Sequence, residues 1–244
     1  MPHVCFVFFL FLSISTQNKV AAQDSLFVRV ARQQAIATYE QATRKQAHVY
    51  DGNEYIAHNH QIQGHPFYSI DSLQAGAVTY NGIYYKGVSM QYDIVRDQLV
   101  VQPVGSGFKV RLHNEQVSRF SINANPFIRL VAPTEGGSAI GLTTGFYEML
   151  YDGKTKALAR RIKTIHEDIS SGTYKADFLQ KDRFFILKEG SYRDANSKGA
   201  ILSIFKDQSK ELRKYIRAND LIFKGEQLGA ALTQLARHYD ELTR

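Results

Sequence analysis

"AVTYNGIYYKGVSMQYDIVRDQLVVQ", residues 77–102, decides the fold class. Asn81-Gly82 stands between aromatic and β-branched residues, as the two central residues of a tight hairpin turn should. Beyond it, Val88, Met90, Tyr92 and Ile94 alternate with Ser89, Gln91 and Asp93. A period of two predicts one dry face and one wet face. The alternation resumes at residues 108–113, where Phe108, Val110 and Leu112 oppose Lys109, Arg111 and His113. "FYEMLYDGKTKALARRIKTI", residues 146–165, reads as two strands about Asp152-Gly153, and "KADFLQKDRFFILKEGSY", residues 175–192, adds a pair about Glu189-Gly190. Short connections between successive strands imply antiparallel pairing. The absence of helix-length crossovers in the pattern argues against a doubly wound parallel fold.

The flanks have a different period. From Asp24 to about Ala47 the chain is rich in Ala, Gln and Arg, and Leu26, Val30, Ile36, Tyr39 and Thr43 form a partial helical stripe. At the other end, "SKGAILSIFKD", residues 197–207, places Ile201, Leu202 and Phe205 on one face behind a Ser197 cap. "KELRKYIR", residues 210–217, does likewise with Leu212, Tyr215 and Ile216. Leu228, Leu232, Leu235, Tyr239 and Leu242 then fall at alternate spacings of four and three, a single apolar stripe. The expected fold is therefore α+β: a curved, mainly antiparallel sheet of about eight to ten strands, with an N-terminal helix and a C-terminal helical cluster. The sheet is expected over about residues 50–193 and the cluster over about 197–243, within a single domain at 23–244.

Residues 1–22 read as an export leader. The apolar run Val4–Leu12 is too short for a stable membrane span. Val20, Ala21 and Ala22 supply the small residues that signal peptidase needs, which puts the cut after Ala22. Few residues and no lysine or arginine precede the apolar run. Removal of 1–22 leaves 222 residues with 29 basic and 23 acidic side chains, and takes away Cys5, the sole cysteine. A cysteine-free mature chain excludes disulfides, thiolate nucleophiles and thiolate metal sites. No later run approaches the length of a transmembrane segment. For an exported basic protein, an anionic lipid headgroup, an acidic glycan or another envelope protein is the expected partner, rather than nucleic acid.

"EYIAHNHQIQGHPF", residues 54–67, carries His58, His60 and His65, with His48 just upstream. Strand residues two apart share a side at roughly 6 to 7 Å. His58 and His60, with His65 swung in at the Gly64–Pro66 turn, are thus candidates for an open zinc site, with Asp51, Glu54 or Asp71 as outer acceptors. The alternative is three imidazoles bonded to backbone and water, since the helical His-Glu-x-x-His arrangement is absent. Residues 152–155, Asp-Gly-Lys-Thr, lack the glycine five residues before Gly153 that a phosphate loop needs, because Glu148 stands there. Ser106 and Ser138 lie in glycine-rich stretches without the nucleophile-elbow spacing. Glu148, Asp152, Glu167 and Asp168 are scattered among cations and read as surface pairs.

Two features suit binding. Tyr80, Tyr84, Tyr85, Tyr92, Phe146, Tyr147, Tyr151, Phe184 and Phe185 exceed what one core face takes up, so some are candidates to line a groove. Lys154, Lys156, Arg160, Arg161 and Lys163 concentrate charge on one hairpin, a candidate anionic-surface contact or a solvated edge.

Taken together, "YDGNEYIAHNHQIQGHPF", "VTYNGIYYKGVSMQYDIVRDQLVV", "GFYEMLYDGKTKALARR" and "KELRKYIRANDLIF" resemble a group of uncharacterised exported bacterial proteins. The resemblance spans about Tyr39 to Leu242. It implies a periplasmic or envelope location and brings no catalytic or ligand residues. The expectation is a non-enzymatic envelope protein that binds a ligand or partner in a groove between sheet and C-terminal helices. The alternatives are a metal-dependent hydrolase built on the histidines and a structural subunit of an envelope assembly.

Overall fold

The computed structural model of the protein describes residues 20–43, 48–132, 141–170 and 174–244. The chain divides into two units, residues 1–46 and 47–244. In the first, helix α1 spans Val20–Thr43. It starts four residues before the expected Asp24, so the expected cut after Ala22 falls in its first turn. The rest of the leader and residues 44–47 lie outside the described residues. Leu26, Val30 and Ile36, members of the expected stripe, are exposed.

The second unit is α+β, and its strand pairings are antiparallel. After a short turn of 3-10 helix at His48–Tyr50, the chain forms β1 (Asn53–Glu54), β2 (Gln74–Tyr80), β3 (Ile83–Asp93), β4 (Gln98–Val101) and β5 (Val110–Arg111). Next come β6 (Val117–Ile122), β7 (Asn125–Leu130), β8 (Gly145–Asp152) and β9 (Lys156–Arg160). β10 (Lys163–Asp168), β11 (Lys175–Gln180), β12 (Arg183–Lys188) and β13 (Ser191–Asp194) complete the strands. Eleven of them make one open sheet in the order β1-β5-β4-β3-β2-β6-β7-β8-β9-β12-β13, and β10 and β11 form a separate ribbon. The count exceeds the expected range because β1 and β5 are two-residue strands, too short to leave a period in the sequence.

The turns follow from local chemistry. Asn81 and Gly82 have φ of 50° and 76°, and Tyr80 faces Ile83 across them. Positive φ at both positions gives the turn a twist that matches the strands. Glu189 and Gly190 do the same between β12 and β13, with φ of 52° and 75°.

One sheet face carries the main core: Val78, Tyr80, Met90, Tyr92, Phe120 and Phe127. Glu148 on that face is opposite both Phe127 and Ala159, so the face continues into β9 and β12. There Ala157, Ala159, Phe184 and Ile186 pack against the C-terminal helices. These are α2 (Lys198–Ile204), α3 (Ser209–Ala218) and α4 (Gln227–Leu242). Ser197 caps α2, its hydroxyl accepting from the Ala200 N–H at 3.2 Å. Leu228, Leu232, Leu235 and Tyr239 of α4 are buried, and Leu242 is exposed. Each buried leucine contributes roughly 2 kcal/mol by removing apolar surface from water. No helix among the described residues is long and apolar enough to cross a membrane.

The alternation expected along β3 holds on one side and fails on the other. Ser89 is exposed, but Gln91 and Asp93 retain 1% and 0% of their surface. The face expected to be wet is covered at that end of the strand.

Candidate functional site

The cover at Asp93 is the chain's own segment 54–67. Tyr55 and Phe67 pack on Val100, which lies on the same face as Gln91 and Asp93. Phe67 also bridges to Asp93 through the backbone, with the Ile94 N–H donating to Pro66 O at 3.0 Å. The Asp93 carboxylate accepts four bonds: from Tyr55 O–H (3.0 Å), His58 Nε2 (2.8 Å) and the backbone N–H groups of Val95 (2.9 Å) and Arg96 (3.0 Å). A carboxylate only accepts, so the His58 proton sits on Nε2. Burial, and then the Asp93 charge, push the Tyr55 phenol well above its ordinary pKa. The His58 ring meets Phe178 of β11 edge-on at 5.5 Å.

Lys163 holds the far end of the segment. Its Nζ donates to His65 O at 2.8 Å and Phe67 O at 3.0 Å. Burial lowers the Lys163 pKa, and burial followed by the Lys163 cation lowers that of His65. Lys109 donates to Gln91 Oε1 at 2.6 Å and lies over the Phe67 ring. The cluster is thus closed on itself.

In the basic hairpin, read as a candidate anionic-surface contact, the arginines are turned inward while Lys154 stays exposed and Lys156 half-exposed. Arg160 pairs with Asp97 at 2.9 Å and lies over Tyr147. Arg161 pairs with Glu148 at 2.6 Å and with Asp182. Lys154 donates to Thr243 O at 3.0 Å, and Lys156 pairs with Asp152. These partners stand far away in sequence, apart from Asp152 and Glu148, which is why the run looked free. Glu148, read as a surface carboxylate, is 5% exposed and also accepts from Tyr68 O–H at 3.2 Å. Burial works against the Arg161 charge, but Glu148 and Asp182 outweigh it and raise its pKa. Burial raises the pKa of Asp97 against the pull of Arg160. At Gly145, φ +151°, an added Cβ would stand 1.9 Å from Arg160 Nη1 and 2.2 Å from Asp97 Oδ2.

The Asp-Gly-Lys-Thr stretch connects β8 and β9 as a hairpin turn, in line with the absence of a phosphate loop. It is clasped by Asp240 of α4, which accepts from the Thr155 N–H at 3.0 Å, Thr155 Oγ1 at 2.9 Å and Tyr151 O–H at 3.1 Å.

Further along the face that carries Asp93, no described residue of the second unit closes over in the same way. A cleft of about 370 Å³ is lined by Ala77, Tyr84, Arg119, Phe120, Ser121, Pro126, Phe127, Ile128, Met149, Leu150, Tyr151 and Asp152. Ala77, Arg119, Ser121 and Ile128 alternate along their strands with core residues Val78, Phe120 and Phe127, so they face away from the main core. Register places them side by side: Ala77 opposite Ser121 and Ile128 opposite Arg119. Ile128 and Met149 continue into a small apolar cluster with Tyr147, Leu158 and Phe185. Small residues on β2 and β6 hollow the surface, and Tyr84 and Met149 wall it. The volume lies within the usual range for small-molecule sites. Among the described residues α2–α4 contribute none of this cleft's lining, so it is distinct from the groove expected between sheet and helices.

The histidines proposed as a zinc set take separate partners. His58 is bonded to Asp93, His65 stands beside the Lys163 cation, and His60 is exposed in a turn. His48 pairs with Asp51 at 2.9 Å. Among the described residues, no group of three or more His, Cys, Asp or Glu is placed to hold a metal ion. Ser106 bonds to Phe108 O at 2.9 Å as a loop residue, and Ser138 lies outside the described residues. Glu167 accepts from Tyr174 O–H at 3.0 Å and Asp168 from the Ser170 N–H at 2.8 Å, both locally. Of the aromatics proposed for a groove, Tyr84 and Tyr151 line the cleft. Ala77, Ser121 and Arg119 escape a sequence reading, since small residues and a lone arginine on alternating strands carry no distinctive spacing.

No family model, curated protein or solved structure matches the chain.

Proposed function

We propose that the protein is an exported binding protein of the cell envelope, and that it holds a small, mainly apolar ligand in the cleft on the uncovered sheet face. The observation that carries this reading is the cleft itself, about 370 Å³ with a largely apolar lining. The buried carboxylates support binding over catalysis, because Asp93 and Asp240 spend their acceptor capacity on the fold. Export is supported by the apolar run before Val20, Ala21 and Ala22. N-terminal sequencing of the natural product is expected to begin at Gln23. A start at Met1 would remove the envelope address.

An environment-sensitive apolar dye tests the cleft. Wild-type protein should enhance its fluorescence, and Ala77→Phe, which fills the hollow, should abolish the enhancement while leaving the circular dichroism spectrum unchanged. Equal enhancement by a folded Ala77→Phe protein would place the ligand elsewhere. The reading as a metal-dependent hydrolase would need His58, His60 and His65 at one ion, and each is engaged or placed apart. The reading as a structural subunit with a basic interface would have to rest on Lys154 and Lys156, since Arg160 and Arg161 are engaged by Asp97, Glu148 and Asp182.

A further inference from the structure

We propose that the ligand of this cleft is a single-chain amphiphile with a carboxylate head, a medium-chain fatty acid being the simplest member; the inference rests on the cleft reading above. The cleft volume matches a single short chain. At the roughly 30 Å³ that a water-sized unit takes up in a liquid, the cleft volume admits about a dozen non-hydrogen atoms, the size of decanoate.

Charge selects the head. Tyr84, Thr79 and Arg119 lie across three adjacent strands, and Lys86, Ala77 and Ser121 form the next such row. Two cations therefore flank the hollow at Ala77. Neither Arg119 nor Lys86 has a carboxylate within ion-pair distance among the described residues, whereas Arg160 and Arg161 are both paired. Lys86 Nζ is kept at the rim by the Tyr84 ring, 5.7 Å from its centroid. The acidic lining residue, Asp152, is already neutralised by Lys156. What remains is an apolar trough with an unmatched guanidinium, whose planar fork suits a carboxylate. Ile128 and Met149 receive the chain.

Calorimetric titration of the full chain with decanoate below its micelle-forming concentration and with decanol below its solubility limit tests the assignment. Wild-type protein should bind decanoate about fivefold more tightly than decanol, the effect of a partly exposed ion pair. Arg119→Gln should remove that preference by weakening decanoate more than decanol, and Ala77→Phe should abolish both. Equal affinity for the two ligands, unaffected by Arg119→Gln, would overturn the carboxylate head while the cleft stands. Equal weakening of decanol and decanoate in a folded Arg119→Gln protein would mean that Arg119 acts as cleft wall alone and would overturn the inference equally. Failure of both ligands to bind wild-type protein up to those limits would remove the cleft reading and this inference together.

Discussion

Two patches of one sheet face have opposite fates. At Gln91, Asp93 and Val100 the chain lays its own residues 54–67 over the sheet and pairs each carboxylate oxygen of Asp93. At Ala77, Arg119, Ser121 and Ile128 it leaves a hollow. Buried charge is tolerated where several donors converge on it, and is costly otherwise. The contrast inverts the usual expectation of where chemistry lies. The residues with the greatest chemical potential, His58 and Asp93, serve as an internal fastening, and unremarkable small side chains shape the site.

The contrast is most exposed to attack at Asp93. Asp93→Ala strands two side-chain donors and two backbone N–H groups in a dry setting, and should cost about 3–5 kcal/mol, read as a lowered urea midpoint. A loss under about 1 kcal/mol would mean that segment 54–67 is not fastened there. Gly145→Ala should follow at about 2–3 kcal/mol, since the added carbon displaces the Asp97–Arg160 pair.

Alkaline titration probes the buried phenols, Tyr55 of the covered patch and Tyr68 and Tyr92 at the main core. Burial and neighbouring carboxylates raise the pKa of Tyr55, Tyr68 and Tyr92 above the ordinary value of 10.0. The folded state therefore keeps protons that the unfolded state releases. The stability they contribute is complete below pH 10.0 and falls as pH rises above it, by about 1.4 kcal/mol per pH unit for each tyrosine. Tyr55→Phe and Tyr68→Phe should each flatten that slope by one share. The smallest effect is expected at the exposed Lys156–Asp152 pair, where Lys156→Ala should change stability by no more than about 0.5 kcal/mol.

Where a residue's fate depends on its immediate neighbours, it was legible in the sequence. Asn81-Gly82 dictates its turn, Ser197 its cap, and Leu232 and Leu235 their side of α4. The burial of Asp93 was not legible, because alternation tells which side of a strand a residue takes and not whether another segment arrives to cover it. The inward turn of Arg160 and Arg161 was hidden for the same reason, since Asp97 and Asp182 reach them through folding of the whole chain. The cleft was the least legible, as it is made by the absence of bulk at positions brought together by register.

The reach of Lys163 to the carbonyls of His65 and Phe67 also has a consequence in time. That contact joins residues almost a hundred positions apart, whereas the Asn81-Gly82 hairpin closes over a few. Chain closure of the longer loop is slower and waits for more of the molecule to assemble. The strip 54–67 is therefore expected to dock after the hairpin has closed, so that Asp93 loses its contact with solvent late in folding.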